Sequence, residues 1–309
     1  MKFRTEIALL KHTNLLNYAS KITLLGSCFA THIGNRLQAN QFDTVLNPFG
    51  IVFNPHSLLQ QLNCYEVNTN HLLPARQKVL SLDFHSKYNG NTEEAFVSKI
   101  SNDSAKLQRR LNETDVLFLT FGTAWVYEYL ETGKIIANCQ KLPSSKFAKK
   151  MLKLDDLVEL YKVFLSKLLS VNPKVKIVLT VSPVRHIKDG LVENNRSKAV
   201  LQLLCNALES LFPKAVIYYP SYELVLDDLR DYRFFEKDLL HPNQMAVDYI
   251  FEHFSASFMS ERTKKIMLSI QKYNRLAAHK DLLSTPAEIA EREAKLDFLK
   301  AEIQRLKLS

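Results

Sequence analysis

The chain has 309 residues, of which 46% are apolar and 24% charged. That is an ordinary globular composition, and it excludes a disordered chain, a collagen-like repeat and a small disulfide scaffold. The formal net charge of +9 is spread thinly, with 11 basic and 7 acidic residues in 261–309 and 30 and 25 in 1–260, so nucleic-acid binding is not expected. Met1-Lys2-Phe3-Arg4-Thr5-Glu6 has no secretory-type hydrophobic stretch, and no run of about 18 apolar residues occurs, so neither export nor a membrane span is expected. Cys28, Cys64, Cys139 and Cys205 lie far apart and form no C-x-x-C pair; they read as free thiols of a reducing cytoplasm.

In chain order, the first buried-strand pattern is Ile22-Thr23-Leu24-Leu25. A second strand is expected within 44–53, and Val79-Leu80-Ser81-Leu82-Asp83-Phe84 alternates like an edge strand or hairpin. Tyr88-Asn89-Gly90-Asn91 reads as a turn in which Asn-Gly takes positive φ, and 93–111 reads as a helix. Three more near-continuous apolar runs follow at 116–121, 175–181 and 215–219, as strands covered on both faces require. Between them, Leu154, Leu157, Leu160, Tyr161, Phe164 and Leu168 recur at helical spacing, as do Val200, Leu203, Leu204, Ala207, Leu208 and Leu211. Alternating strands and helices imply right-handed crossovers and a mainly parallel sheet. The expected fold class is α/β, a three-layer α/β/α sandwich over about residues 15–260. One or two helices are expected in 242–280. Thr285-Pro286-Ala287-Glu288 then reads as a capped helix start, with an apolar stripe at Ile289, Leu296, Leu299, Ile303 and Leu306. The division expected is a body, 1–260, and a helical extension, 261–309, packing on the body or on a second copy of the chain.

Two constellations bear on chemistry. Gly26-Ser27-Cys28-Phe29-Ala30 follows the first strand directly, where a parallel sheet places its ligands and where a helix begins with unpaired N–H groups. The alternative for Ser27 is a plain helix cap. Asp238-Leu239-Leu240-His241-Pro242-Asn243 follows the last strand, with Pro242 suited to a first helical position and Asp238 able to turn back on His241. With 14 Asp and 9 His in the chain, about 0.4 Asp-x-x-His patterns arise by chance, so this pattern alone is weak.

Together they are more specific. A serine after the first strand and Asp-x-x-His after the last resembles the layout of SGNH/GDSL-type hydrolases. Residues 26–30 spell the signature of the GSCFA family, related to that fold. Phe3-Arg4-Thr5-Glu6, Asn47-Pro48-Phe49-Gly50, Thr120-Phe121-Gly122-Thr123-Ala124-Trp125, Val181-Ser182-Pro183-Val184-Arg185-His186 and 238–243 also resemble blocks of that family, in order, over about residues 1–255.

The resemblance implies a five-stranded sheet ordered 2-1-3-4-5 and an esterase-like site. Ser27 would be the nucleophile, His241 the general base and Asp238 its orienter. A serine hydroxyl is a poor nucleophile unless a base takes its proton, and the oxyanion that follows needs donors already in place. The candidates are the N–H groups of Ser27, Cys28, Gly50, Gly122 and Thr123. Two departures stand out: Gly26 occupies the position of the wider pattern's Asp, and Ala124 that of its oxyanion-binding Asn. Either Asn47 or the Thr123 hydroxyl substitutes, or the site is weaker than a typical esterase. Losing one such donor is worth roughly 3–4 kcal/mol of transition-state stabilisation.

Arg185 and His186 also fall at the carboxyl edge of the sheet and are candidate substrate-binding residues, with His186 a rival base and a structural loop pair the alternative. Lys198 is expected to face the same edge. Trp125, Tyr127 and Tyr129 would share one face of an extended segment, for sugar stacking or for core packing. Cys28 as nucleophile and Cys28-x-x-x-His32 as a metal pair are weak, and no metal is expected. No nucleotide-binding glycine loop occurs, so no cofactor is expected. The activity expected is hydrolysis of an ester, an O-acyl group on a carbohydrate or other small molecule. The alternatives are an O-acyltransferase on the same site and a non-catalytic binding protein whose C-terminal helices are the partner surface.

Overall fold

The computed structural model describes residues 4–63, 67, 69–75, 78–278 and 285–308. Phe3, Cys64 and the last two residues of the 242–280 helical region lie outside them. The central sheet contains β1 (Ile22–Gly26), β2 (Thr44–Leu46), β5 (Val116–Phe121), β9 (Lys176–Val181) and β10 (Val216–Tyr218), all parallel and ordered β10-β9-β5-β1-β2. Counted along the chain, that is the order 2-1-3-4-5.

Alternation along the strands builds three layers. Leu25, Leu117, Leu119, Phe121, Ile177, Leu179 and Val181 face one core. That core is closed by α2 (Pro55–Leu62), α3 (Glu93–Glu113), α4 (Leu154–Val171) and α5 (Leu191–Leu211). Ile22, Leu24, Val116, Phe118 and Val178 face the other, under α1 (Cys28–Ala39). A short turn, α6 (Ser221–Glu223), runs into a π-helical stretch at 224–229 beside α7 (Gln244–Phe258), which completes that second layer. Every residue of β1 and β5 is buried, which is why their sequences are continuously apolar.

Two small antiparallel sheets are added. β3 (Leu72–Ala75) and β4 (Lys78–Ser81) form a hairpin. β6 (Trp125–Tyr129), β7 (Lys134–Ile136) and β8 (Phe147–Met151) form a three-stranded sheet directly after β5, fastened to the body by Leu152 N–H donating to Ala124 O at 2.9 Å. At the end, α8 (Glu261–Ala277) packs against α9 (Pro286–Leu308) through Ile266, Ile270 and Ile303. The start of α9 is a reciprocal cap, Thr285 N–H to the Glu288 carboxylate at 2.7 Å and Glu288 N–H to Thr285 Oγ1 at 3.3 Å.

Several expectations need correction. The buried stripe of α5 is Asn194, Ser197, Lys198, Leu201, Leu204, Cys205 and Leu208, while Leu203 and Leu211 are exposed. In α4, Leu160 is exposed although its stripe neighbours are covered. The expected 88–91 turn is replaced by a 3-10 turn at 86–88 followed by an antiparallel bridge of Gly90 with Val79, and neither Asn89 nor Gly90 has positive φ. Pro242 is not a first helical residue: Asn243 is the cap of α7, its side chain accepting from Ala246 N–H at 3.1 Å.

Candidate active site

The β1–α1 elbow is fixed by close packing. Gly26 has φ +135°, and a Cβ there would lie 2.2 Å from Thr120 O on the neighbouring strand, so only glycine lets β1 and β5 meet at this point. Ser27 N–H donates to the same carbonyl at 3.1 Å. Ser27 stands at the N-cap position of α1, yet its hydroxyl makes no capping bond. The residue is fully buried and Oγ has no hydrogen-bond partner among the described residues, His241 included. Buried hydroxyls normally find a partner, so this orphan is unusual.

The His241 loop reaches the same edge of the sheet. Arg185 N–H, in the loop after β9, donates to Leu240 O at 3.4 Å, and the Arg185 guanidinium lies over Phe235 and Tyr232, at 4.7 and 5.5 Å from their ring centroids. Leu239 has φ +60°, and Glu236 N–H closes the loop on His241 O at 2.7 Å. Asp238 accepts at Oδ1 from the N–H groups of Leu240 and His241, at 2.9 and 3.0 Å, and at Oδ2 from His241 Nδ1 at 2.7 Å. Those backbone donors first, and the imidazole after them, hold the Asp238 carboxyl down at about 2. An ionised partner on Nδ1 leaves Nε2 as the basic nitrogen. The pair is half-exposed. His32 on α1 and His186 are both held down, first by burial, then by Arg36 and Lys198 respectively, with nearby His241 a smaller cause in each.

Most of the expected oxyanion donors are already engaged. Gly50 N–H donates to Asn47 O at 2.8 Å, and Gly122 and Thr123 N–H both donate to Phe53 O at 2.7 and 3.0 Å. Asn47 Oδ1 accepts from Gly26 N–H at 2.8 Å, and its Nδ2 donates to Thr31 Oγ1 at 3.2 Å. Thr123 Oγ1 lies 3.0 Å from Ser197 Oγ. These groups hold the loops around Ser27 rather than standing open. The exception is Cys28 N–H, at the first position of α1, which has no carbonyl acceptor among the described residues. The Cys28 thiol is raised by burial, against the smaller opposing pull of the Phe29 and Cys28 N–H groups.

The first two turns of α5 organise both neighbouring loops. Asn194 Oδ1 accepts from His186 N–H at 2.8 Å, and Ser197 Oγ accepts from Ala124 N–H at 2.7 Å. Lys198 Nζ donates to Gly122 O and Ser182 O, both at 2.6 Å, at the ends of β5 and β9. Its ammonium has no carboxylate partner among the described residues, and burial lowers it to about 7. Polar residues at 194, 197 and 198, continuing a buried apolar stripe at i, i+3, i+4 spacing, were the signal in the sequence for this arrangement.

Beside this edge lies a cleft of about 450 Å³, lined among others by Phe53, His85, Trp125, Tyr127, Lys149 and His186. Ser27 does not line it. His186 joins the two regions. Its ring packs edge-on to Phe53 at 5.5 Å, its Nε2 is buried and unpartnered, and burial, with Lys198 and His241 after it, holds it down at about 4. Gly122 leaves the room for that ring, since a Cβ there would lie 3.3 Å from His186 Nε2. Trp125 and Tyr127 share the cleft face of β6, while Tyr129 on the same strand is buried against Phe147.

A protein-family model described as the GSCFA family matches residues 21–254. No curated protein matches the chain. Among solved structures it is similar to a carbohydrate esterase family 3 from Talaromyces cellulolyticus, at 11% identity over 82% of this chain and 99% of that one, TM-score 0.37. It is also similar to an acetyl xylan esterase from the rumen bacterium Butyrivibrio proteoclasticus, at 12% identity over 77% and 63%, TM-score 0.40. A lipopolysaccharide acetyltransferase periplasmic domain from Salmonella ser. Paratyphi A matches at 8% identity over 78% and 84%, TM-score 0.35.

Proposed function

The chain belongs to the GSCFA family, and on that premise we propose that it is a serine-dependent acyl-ester hydrolase, with O-acyl transfer to an alcohol as the variant of the same chemistry. One observation carries the reading: at one edge of the sheet, a buried serine hydroxyl without a partner accompanies an imidazole whose Nδ1 is held by a carboxylate. In this mechanism Ser27 Oγ attacks the ester carbonyl while His241 Nε2 takes its proton. Asp238 holds the tautomer and offsets the imidazolium charge. The tetrahedral oxyanion forms beside Cys28 N–H at the positive end of α1. Collapse releases the alcohol with the proton from His241, leaving Ser27 acylated. Water, or a second alcohol, then attacks that acyl group by the reverse proton path. The absent hydrogen bond between Ser27 and His241 is a gap to be closed on substrate binding, as catalytic contacts commonly tighten in the complex.

The proposed catalytic body is 1–260, with 261–309 as an added helical unit. No helix among the described residues is long and apolar enough to cross a membrane. The unpaired thiols of Cys28, Cys139 and Cys205 favour a reducing compartment, the cytoplasm.

The test is labelling by a fluorophosphonate probe together with hydrolysis of short-chain p-nitrophenyl esters. Wild type is expected to be labelled at Ser27 and active. Ser27→Ala and His241→Ala are expected to lose about 10⁴-fold or more in kcat, and Asp238→Asn about 10⁴-fold. A folded wild type that neither labels nor cleaves any ester in the panel, or variants as active as wild type, would overturn the assignment.

A further inference from the structure

The cleft beside the proposed nucleophile takes no part in the proton transfers above. Its volume, about 450 Å³, falls within the roughly 300–1,000 Å³ typical of small-molecule sites. Trp125 and Tyr127, two residues apart on β6, give it an aromatic wall. Lys149 Nζ lies 5.0 and 5.6 Å from their ring centroids, and Lys188 Nζ lies 5.8 Å from that of Tyr127 and 3.5 Å from its hydroxyl. Lys149 is paired with Asp189, whereas Lys188 has no ion-pair partner among the described residues. Two lysines against one carboxylate leave this wall net positive. His186 lines the cleft beside Phe53, with its Nε2 buried and without a partner among the described residues.

We propose that this cleft binds the alcohol portion of the ester, and that this portion is a sugar-sized ring bearing one anionic group, a carboxylate or a phosphate. The proposal rests on the acyl-ester reading for the word ester, but not for the binding itself. The ring stacks on Trp125 and Tyr127, which bring large apolar area with polar tips. The anion completes charge-assisted hydrogen bonds with Lys188 and neighbouring Lys149. A substrate so placed spans from the cleft past His186 toward Ser27.

Trp125 is the only tryptophan in the chain, so its emission reports on the cleft alone. The experiment titrates the full chain carrying Ser27→Ala, which removes turnover, with glucuronate, glucose 6-phosphate, glucose and inorganic phosphate. A saturable emission change is expected with at least one anionic sugar, and whether glucuronate or the phosphate ester produces it identifies the anion. Glucose and inorganic phosphate are expected to bind at least about tenfold more weakly, and adding Lys188→Ala to weaken the anionic sugar by about tenfold. No saturable change with either anionic sugar, equal binding of glucose or of phosphate alone, or a Lys188→Ala titration matching its parent each overturns the proposal. Because the readout is binding to a protein lacking the serine hydroxyl, failure here is separate from failure of the esterase assay.

Discussion

His186 shows how much one residue's surroundings decide. Its ring is packed on Phe53, placed near Lys198 and His241, and held down at about 4, so it is neutral at pH 7. That makes it a poor rival to His241 as a base, because Nε2 faces buried surroundings without a partner to take the charge. It also makes the fold sensitive to acid. In the unfolded chain a histidine protonates near its ordinary value of about 6.5, so below that pH the unfolded state binds the extra proton first. The stability contributed by His186 is therefore full above about pH 6.5 and falls as the pH drops toward about 4. Urea midpoints measured at pH 7 and pH 5 are expected to differ more for wild type than for His186→Gln; equal differences would remove His186 as the source. Asp238 behaves in the same sense but lower, staying ionised until the pH approaches about 2, so its hold on His241 persists across any working range.

At the scale of elements, the amino-terminal half of α5 fixes the geometry of the loops after β5 and β9. Ser197 supplies the acceptor for the buried Ala124 N–H, and Lys198 ties Gly122 O to Ser182 O. Ser197→Ala leaves that N–H unsatisfied and is expected to cost about 1–3 kcal/mol in denaturant unfolding. Lys198→Met should change the pH dependence of stability in the alkaline direction. With the buried ammonium at about 7 and an unfolded lysine near about 10.4, the unfolded state holds more protons between those values. Wild-type stability then rises with pH from about 7 to 10 through this group, and the methionine variant is expected to lack that rise. An unchanged slope would mean that the ammonium stays charged throughout.

At the scale of the whole molecule, α9 covers an apolar strip of α8 without entering either face of the main sheet. Ile303 buries against Ile266 and Ile270, Lys307 reaches Gln41 and lies over Tyr18, and Phe298 remains exposed. Ending the chain after Ala278 therefore removes Ile303 and its partly buried neighbours, which corresponds to about 2–4 kcal/mol and a fall of roughly 5–10 °C in Tm. The parallel sheet is expected to survive, because α8 keeps its own anchor, Met267, in the core beneath α7. A chain that fails to fold at all would show that α9 belongs to the body.

The layered fold could be read from the sequence because strands buried on both faces must be apolar throughout, and 116–121 or 176–181 have no other stable use. The elbow at Gly26-Ser27 and the Asp238–His241 spacing were legible too, since each is local: three residues of loop suffice to return a carboxylate to its imidazole. Periodicity placed the α5 stripe one residue off, because Leu203 and Leu204 are equally apolar and only packing decides which is covered. It could not show that Lys198 would lie fully buried between two strand ends, nor that Gly50, Gly122 and Thr123 would spend their N–H groups on neighbouring carbonyls while Cys28 N–H found no carbonyl among the described residues. Those outcomes join residues tens of positions apart, and each depends on which of several possible partners lies within hydrogen-bond distance and direction once the layers are packed. Composition and spacing determined which groups this protein carries and on which edge of the sheet they fall. Tertiary packing alone decided which of them remain unpaired, because pairing depends on distance and direction, and a linear order of residues contains neither.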